Sequence, residues 1–343
     1  MVRVLASLAA AATLFVAAAS YAYQYDSPIT DGCHEGFVTD ALRVLRSDGM
    51  SAAILPATAD EALFVADLPF GVPGDMRDPG AATLLVAVRD LDLKGRSGID
   101  TEELAAVHGE DDSQREHCLR RSGHDEPTGT EAAIAECRAY IRERLFAAIE
   151  HGLLDSGEVN GAARVDLRVN LTFRGTVSLS LPLAYVYLGQ AVHALQDGYS
   201  HTFRTSDQQR VTVATNWIDF VNGTLDEARD GPGHMQGLDE CNGVDGFRAE
   251  RLELVREVTL RAMRAVLDPS LDRQQRFDEV DDLIAAALTV EPGCTFDNNW
   301  CDAAELAFAD PGCGCRMGGG PADPRLVVGL LAGLGLWAWR RPR

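Results

Sequence analysis

Along most of this chain the hydrophobic residues recur at steps of three and four, the spacing that gathers side chains on one face of an α-helix. Phe37, Val38, Ala41, Leu42 and Leu45 follow this rule after His34, with Thr30 or Asp31 placed to cap the helix. The stretch from Thr128 to Leu154 reads as one long helix, and GFRAERLELVREVTLRAMRAVL (246–267) and LDRQQRFDEVDDLIAAAL (271–288) as two more. A Pro/Gly-rich loop, PFGVPGDMRDPG (69–80), follows a short helical piece. The apolar segment 81–95, AATLLVAVRDLDLKG, is too short to assign from its pattern.

One region breaks the helical period. Val165, Leu167, Val169, Leu171 and Phe173 alternate with polar neighbours, and Val177 and Leu179 repeat the alternation past Gly175, which predicts a β-hairpin. Ser180 and Pro182 then offer a cap and a first-turn proline to a helix over 182–201. There is no internal repeat and no low-complexity linker in this body. The expected fold is mainly α: one helical domain over 23–310 with a β-hairpin insertion near 163–180.

The helix 182–201 carries an unusual stripe. Tyr185, Gly189, His193, Asp197 and His201 are spaced by four, while Val186, Leu188, Val192 and Leu195 pack elsewhere. Gly189 leaves room for a close neighbour. Polar groups on an otherwise apolar helix are costly to bury unless something satisfies them. A metal ion does so, and His-x-x-x-Asp spacing lets imidazole and carboxylate reach the same one. Of the eight histidines, His34 opens a helix, His108 and His117 lie in AVHGEDDSQREHCLR, and His234 lies in GPGHMQGLDE. His124 and His151 read as surface residues.

Composition and chain ends narrow the setting. The net charge is −21 and Lys94 is the only lysine, so no stable nucleic-acid complex is expected. Residues 1–22, with Arg3, an apolar run and small residues at Ala19, Ser20 and Ala22, read as a secretory signal. An exported chain with six cysteines upstream of the tail is expected to form disulfides. Cys294 with Cys301 closes a short loop, Cys118 with Cys137 ties two helices, and Cys33 with Cys241 completes a set among 15 conceivable pairings. Residues 311–343 contain Cys313-Gly-Cys315, an apolar run at Leu326–Trp339 and then Arg340, Arg341 and Arg343. That tail resembles the myxobacterial C-terminal sorting signals. The resemblance implies a short transmembrane segment, a C-terminal sorting protease as partner, and display at the cell surface or outer membrane after processing.

The segment YLGQAVHALQDGYSH resembles the His-x-x-x-Asp helix of the zinc-dependent phospholipase C and S1/P1 nuclease superfamily. The resemblance implies an all-helical domain holding up to three zinc ions and hydrolysing a phosphodiester, with a phospholipid as the leading substrate. Carried onto this chain, it implies metal ligation by His34, Asp92, His108, His117, His193, Asp197, His201, His234 and Asp239. The middle aspartate is open between Asp90 and Asp92, its histidine partner between His108 and His117, and the late carboxylate between Asp239 and Glu240. Asp197 is expected to bridge two ions, and Asp90 or Asp92 to orient the attacking water. The alternatives are a P1-type nuclease and a non-catalytic surface protein on the same scaffold.

Overall fold

The computed structural model describes residues 32–50, 58–68, 70–97 and 106–307. Every described residue belongs to one compact unit. The secretory signal and the sorting tail with its apolar run at 326–339 lie outside the described residues. Among those residues no helix is long and apolar enough to cross a membrane.

The fold is mainly helical. Its long helices are α1 (Cys33–Ser47), α2 (Ala59–Ala66), α3 (Pro79–Leu93), α4 (Gly129–Gly152), α5 (Leu183–Ser200), α8 (Gly246–Leu267) and α9 (Arg273–Ala287). Short helices α6 (Trp217–Asn222), α7 (Glu227–Asp230) and α10 (Asn299–Asp302) punctuate the loops. Helix α5 is the axis of the domain, packed by α3, α4 and α8, while α1 lies across α3 and α8. Its apolar residues Leu188, Val192 and Leu195 are buried in one large core with Leu84, Leu85, Ile141, Leu145 and Val255. A helix buried on every side lacks a polar face, which is why its His/Asp stripe points to a satisfied interior site.

Segment 81–95, without a pattern of its own, is α3. Asp78 caps it by accepting from the Ala81 N–H, Pro79 occupies its first turn, and Lys94 ends it in the left-handed region at φ 44°. Nearly all of α3 is buried, so no amphipathic stripe marks it. Gly189 explains how α3 and α5 come so close. A Cβ there would stand 2.5 Å from Ala87 Cβ and 3.0 Å from the Leu84 carbonyl oxygen.

The hairpin forms as the alternation predicts. Strands β1 (Arg164–Leu171) and β2 (Gly175–Pro182) pair antiparallel, from Arg164 opposite Pro182 to Leu171 opposite Gly175. Leu167, Val169, Leu171 and Leu181 cover Phe64, Ala82 and Val86 of α2 and α3. Ser180 does not cap α5: it lies within β2 opposite Asp166, and Pro182 precedes the first helical residue with no side-chain cap. The cap expected at Thr30 or Asp31 lies outside the described residues, and Gly32 precedes α1 without a side-chain bond. A second small sheet has no counterpart in the sequence reading. Its strands β3 (Thr202–Arg204) and β4 (Val211–Ala214) pair directly after α5.

Candidate metal centre

Helices α1, α3 and α5, a short helical turn ending at His108 and two irregular loops bring the site together. His34 is in the first turn of α1 and Asp92 in the last turn of α3. His193 and Asp197 face inward from α5, and His201 caps its C-terminus. His117 follows a 3-10 turn at Asp111–Glu116, with His108 just before it. His234 and Asp239 flank another such turn, Gln236–Leu238, in the loop before α8.

Within this cluster four sets of donor atoms are close enough to hold an ion: His34/Asp92/His193, Asp92/His108/His117, His117/His193/Asp197, and His201/His234/Asp239. All nine residues expected as ligands are therefore in one cluster, and six of the eight histidines belong to it. All nine are buried, with His234 the most exposed at 8%. That excludes a solvated polar stripe.

The alternatives left open by sequence divide cleanly. Asp92, not Asp90, faces the cluster. Asp90 lies in none of the four sets, and its carboxylate accepts from Gln190 Nε2 at 2.9 Å. Burial pushes the Asp90 carboxyl up to about 6, against that hydrogen bond. Two residues along a helix is a turn of roughly 200°, so only one of the pair can face α5. The middle histidines are not alternatives, because both His108 and His117 lie beside Asp92. His108 Nε2 is 3.1 Å and His117 Nδ1 3.9 Å from Asp92 Oδ1. Asp239 stands 3.2 Å from His234 Nε2, whereas Glu240 is turned toward Arg248. His151 is exposed, and His124 contacts Glu136 outside the cluster.

Asp197 is the hub. Its Oδ2 is 3.0 Å from His193 Nε2, 2.7 Å from His117 Nδ1 and 3.9 Å from His201 Nδ1, and its Oδ1 is 3.4 Å from His34 Nε2. Asp197 Oδ1 and His117 Nε2 make no hydrogen bond. Burial opposes ionisation of Asp197, yet His193 and His201 outweigh it and hold the carboxyl well below the usual range. Asp92 is likewise lowered, chiefly by His193 and His108 against burial.

Three of the imidazoles are oriented by partners outside their own donor sets. His193 Nδ1 donates to the Val88 carbonyl at 2.7 Å, and His201 Nδ1 to the His117 carbonyl at 2.7 Å. His34 Nδ1 donates to Gln196 Oε1 at 2.5 Å, and Gln196 is itself fixed by donating to Thr259 Oγ1. A carbonyl can only accept, so each of these Nδ1 atoms carries a proton, and Nε2 of His34 and of His193 faces Asp197. Such outside partners are what metal-binding histidines use to fix their tautomer. Burial, reinforced by His193, lowers His34 to about 4, and burial lowers His201 to about 3. Both are neutral at pH 7, as ligands must be. His193 differs: Asp197 and Asp92 outweigh its burial and raise it to about 9. Its inward lone pair meets two carboxylates and His117 Nδ1, 3.1 Å away, and only a proton or a cation relieves that arrangement. The donor set thus fits metal ions.

Sequence reasoning did not find the residues that hold the loops in place. Lys94, at the end of α3, pairs with Glu116 at 2.9 Å and donates to Ser113 Oγ, fixing the turn before His117. Arg120 donates to the Ala214 carbonyl and Thr130 Oγ1 and pairs with Glu126, tying the His117 loop to β4 and α4. The buried pair Glu35–Arg89, 3.2 Å apart, joins the His34 turn to α3. Most of these contacts join residues far apart in sequence, such as Arg120 with Ala214 and Glu35 with Arg89, and carry no local signature.

No protein-family model, curated protein or solved structure matches the chain.

Proposed function

We propose that this protein is a zinc-dependent phosphodiester hydrolase of the phospholipase C type, exported and anchored at the cell surface. The observation that carries the reading is the convergence of four buried imidazoles, those of His34, His117, His193 and His201, on the ionised carboxylate of Asp197, with Asp92 beside His193. Asp92, His108 and His117 would hold one ion; His201, His234 and Asp239 a second; and His34, with Asp92 and His193, a third. Asp197 lies between the sets and would bridge them. Zinc in such a cluster supplies a water acidic enough to act as nucleophile at neutral pH and a positive field for phosphate oxygens. The residues themselves fix donor orientation, exclude bulk water, and keep Asp92 and Asp197 ionised. Either carboxylate is placed to accept a hydrogen bond from the attacking water. Asp90, turned toward Gln190, is not.

A single-stranded nucleic acid is the second reading, favoured by one observation. Trp217 packs edge-on against His234, ring centres 5.4 Å apart, and Phe220 lies beside Trp217 at 5.7 Å. Aromatic rings beside a phosphodiesterase centre are the means by which bases are held. The opposite view, a non-catalytic surface protein on this scaffold, retains the cluster but turns nothing over.

One experiment separates the three. The full chain is purified from an oxidising compartment without chelator, its metal counted, and its hydrolysis of phosphatidylcholine vesicles compared with that of single-stranded DNA. The phospholipase reading expects two or three zinc ions per chain and release of phosphocholine, both lost in Asp197→Asn. Cleavage of DNA alone selects the nuclease. A folded, zinc-loaded chain inert on both substrates and on a generic phosphodiester supports the scaffold.

A further inference from the structure

Two of the three disulfides among the described residues adjoin the cluster. Cys33, joined to Cys241, is the residue before His34, and Cys241 is two residues after Asp239. Cys33 Sγ also lies 3.5 Å from the Asp239 carbonyl oxygen. Cys118, joined to Cys137 of α4, is the residue after His117, and its sulfur is 3.2 Å from the carbonyl of Ala194, next to His193. The third bridge, Cys294–Cys301, has a sequence separation of seven and no expected ligand beside either cysteine in the sequence, although Trp300 next to it packs in an apolar cluster with Leu238.

The division matches the backbone. His34, Asp92, His193 and Asp197 belong to helices, which hold them by repeated hydrogen bonds. His117, His234 and Asp239 lie in irregular loops, which do not. Each bridge fastens such a loop to a helix: Cys241 carries the His234/Asp239 loop to α1, and Cys118 the His117 loop to α4. The first spans 208 residues of sequence, a separation across which an unbridged loop has many conformations to lose before its donors meet. A metal site needs its donors held to fractions of an ångström, and that order must come from the surrounding structure.

We infer that Cys33–Cys241 and Cys118–Cys137 are positioning elements of the metal centre, so that its ions are retained only by the oxidised chain. This rests on the metal-centre reading above. Each bridge forms when two thiols pass two electrons and two protons to an external disulfide, which leaves as two thiols. In a reducing compartment the loops stay untied and the centre does not fill. Export into an oxidising one then completes it.

The test uses the full chain and three double variants: Cys33→Ala/Cys241→Ala, Cys118→Ala/Cys137→Ala and, as control, Cys294→Ala/Cys301→Ala. Zinc per chain and zinc affinity against a chromophoric chelator are measured, with circular dichroism to verify folding. Alanine matters because reduction leaves thiolates, which bind zinc themselves. The first two variants are expected to lose at least one ion or to bind about ten-fold more weakly, while the control matches the parent. Parent-like zinc in both ligand-side variants, or an equal loss in the control, overturns the inference. A parent that binds no zinc defeats the metal-centre reading instead. Should a variant fail to fold, the folded, zinc-loaded parent is reduced with a phosphine and zinc release to excess chelator is timed. Release is expected to accelerate about ten-fold; an unchanged rate with all thiols free overturns the inference.

Discussion

His117 enters the cluster twice, because its ring stands 2.7 Å from Asp197 while its backbone carbonyl accepts the Nδ1–H of His201 at 2.7 Å. One expected ligand therefore orients another, and the two sets of donors on either side of Asp197 are mechanically linked. A displacement of the His117 loop moves both.

Gln196 shows the same principle through a side chain. Its side-chain carbonyl accepts from His34 Nδ1 and so fixes the tautomer of that ring. Replacing Gln196 by Leu is expected to weaken zinc binding about 10- to 100-fold, the usual effect of removing a partner that orients a ligand. Gln196→Glu, which keeps an acceptor, should bind more tightly than the Leu variant. Chelator competition at fixed pH measures both.

Removing the metal should destabilise the fold. An ion that binds only the native state adds about 4 kcal/mol when present at a thousand times its dissociation constant. Adding excess EDTA is expected to lower Tm, and restoring zinc to raise it again. A Tm indifferent to both would mean that protons, rather than ions, satisfy the buried cluster.

Gly189 tests the approach of α3 to α5. Alanine usually strengthens a helix, but here its methyl would meet Ala87 Cβ and the Leu84 carbonyl. Overpacking of this kind costs ~1–3 kcal/mol and outweighs the propensity gain of ~1 kcal/mol. Gly189→Ala should lower the urea midpoint. Because α3 carries Asp92 and α5 carries His193, zinc affinity should fall with it.

Glu61 provides a pH-dependent term far from the metal donors. Burial works to raise its carboxyl, but the Thr58 N–H and Arg164, 2.9 Å away, outweigh it and hold it below 4.5. A depressed carboxyl stabilises the fold fully above its unfolded value and loses that contribution as pH falls through the folded one. Glu61→Gln should thus cost ~1 kcal/mol at pH 7 and progressively less on acidification below about 4.5. Parallel urea titrations of parent and variant at several pH values give the difference; a constant gap would rule out the charge as its source.

How much of the site was legible depended on where each donor lies. His193, Asp197 and His201 could be read because a helix converts four-residue spacing into one direction. Asp92 could not be separated from Asp90, since α3 is buried nearly all round and shows no apolar stripe from which to judge facing. The choice came from α5, which meets α3 across Gly189. His108, on a helical turn too short to show a period, and His117, His234 and Asp239, on loops that have none, were visible as residue types only.

The strands divide in the same way. The hairpin β1–β2 has one covered face and one open face, so its alternation is written in the residues. The β3–β4 pair is buried throughout, and its runs Thr202–Arg204 and Val211–Ala214, three and four residues long, are too short for their alternation to stand out.

By itself the sequence determined the helical class, the hairpin, the three-residue stripe and the residue types able to bind metal, all of which follow from local periodicity and side-chain chemistry. Only the tertiary structure decided which carboxylate faces the cluster, that both middle histidines reach it, and that two disulfides adjoin its loops. Those outcomes depend on contacts between residues up to two hundred positions apart, and no local pattern encodes the packing that brings them together.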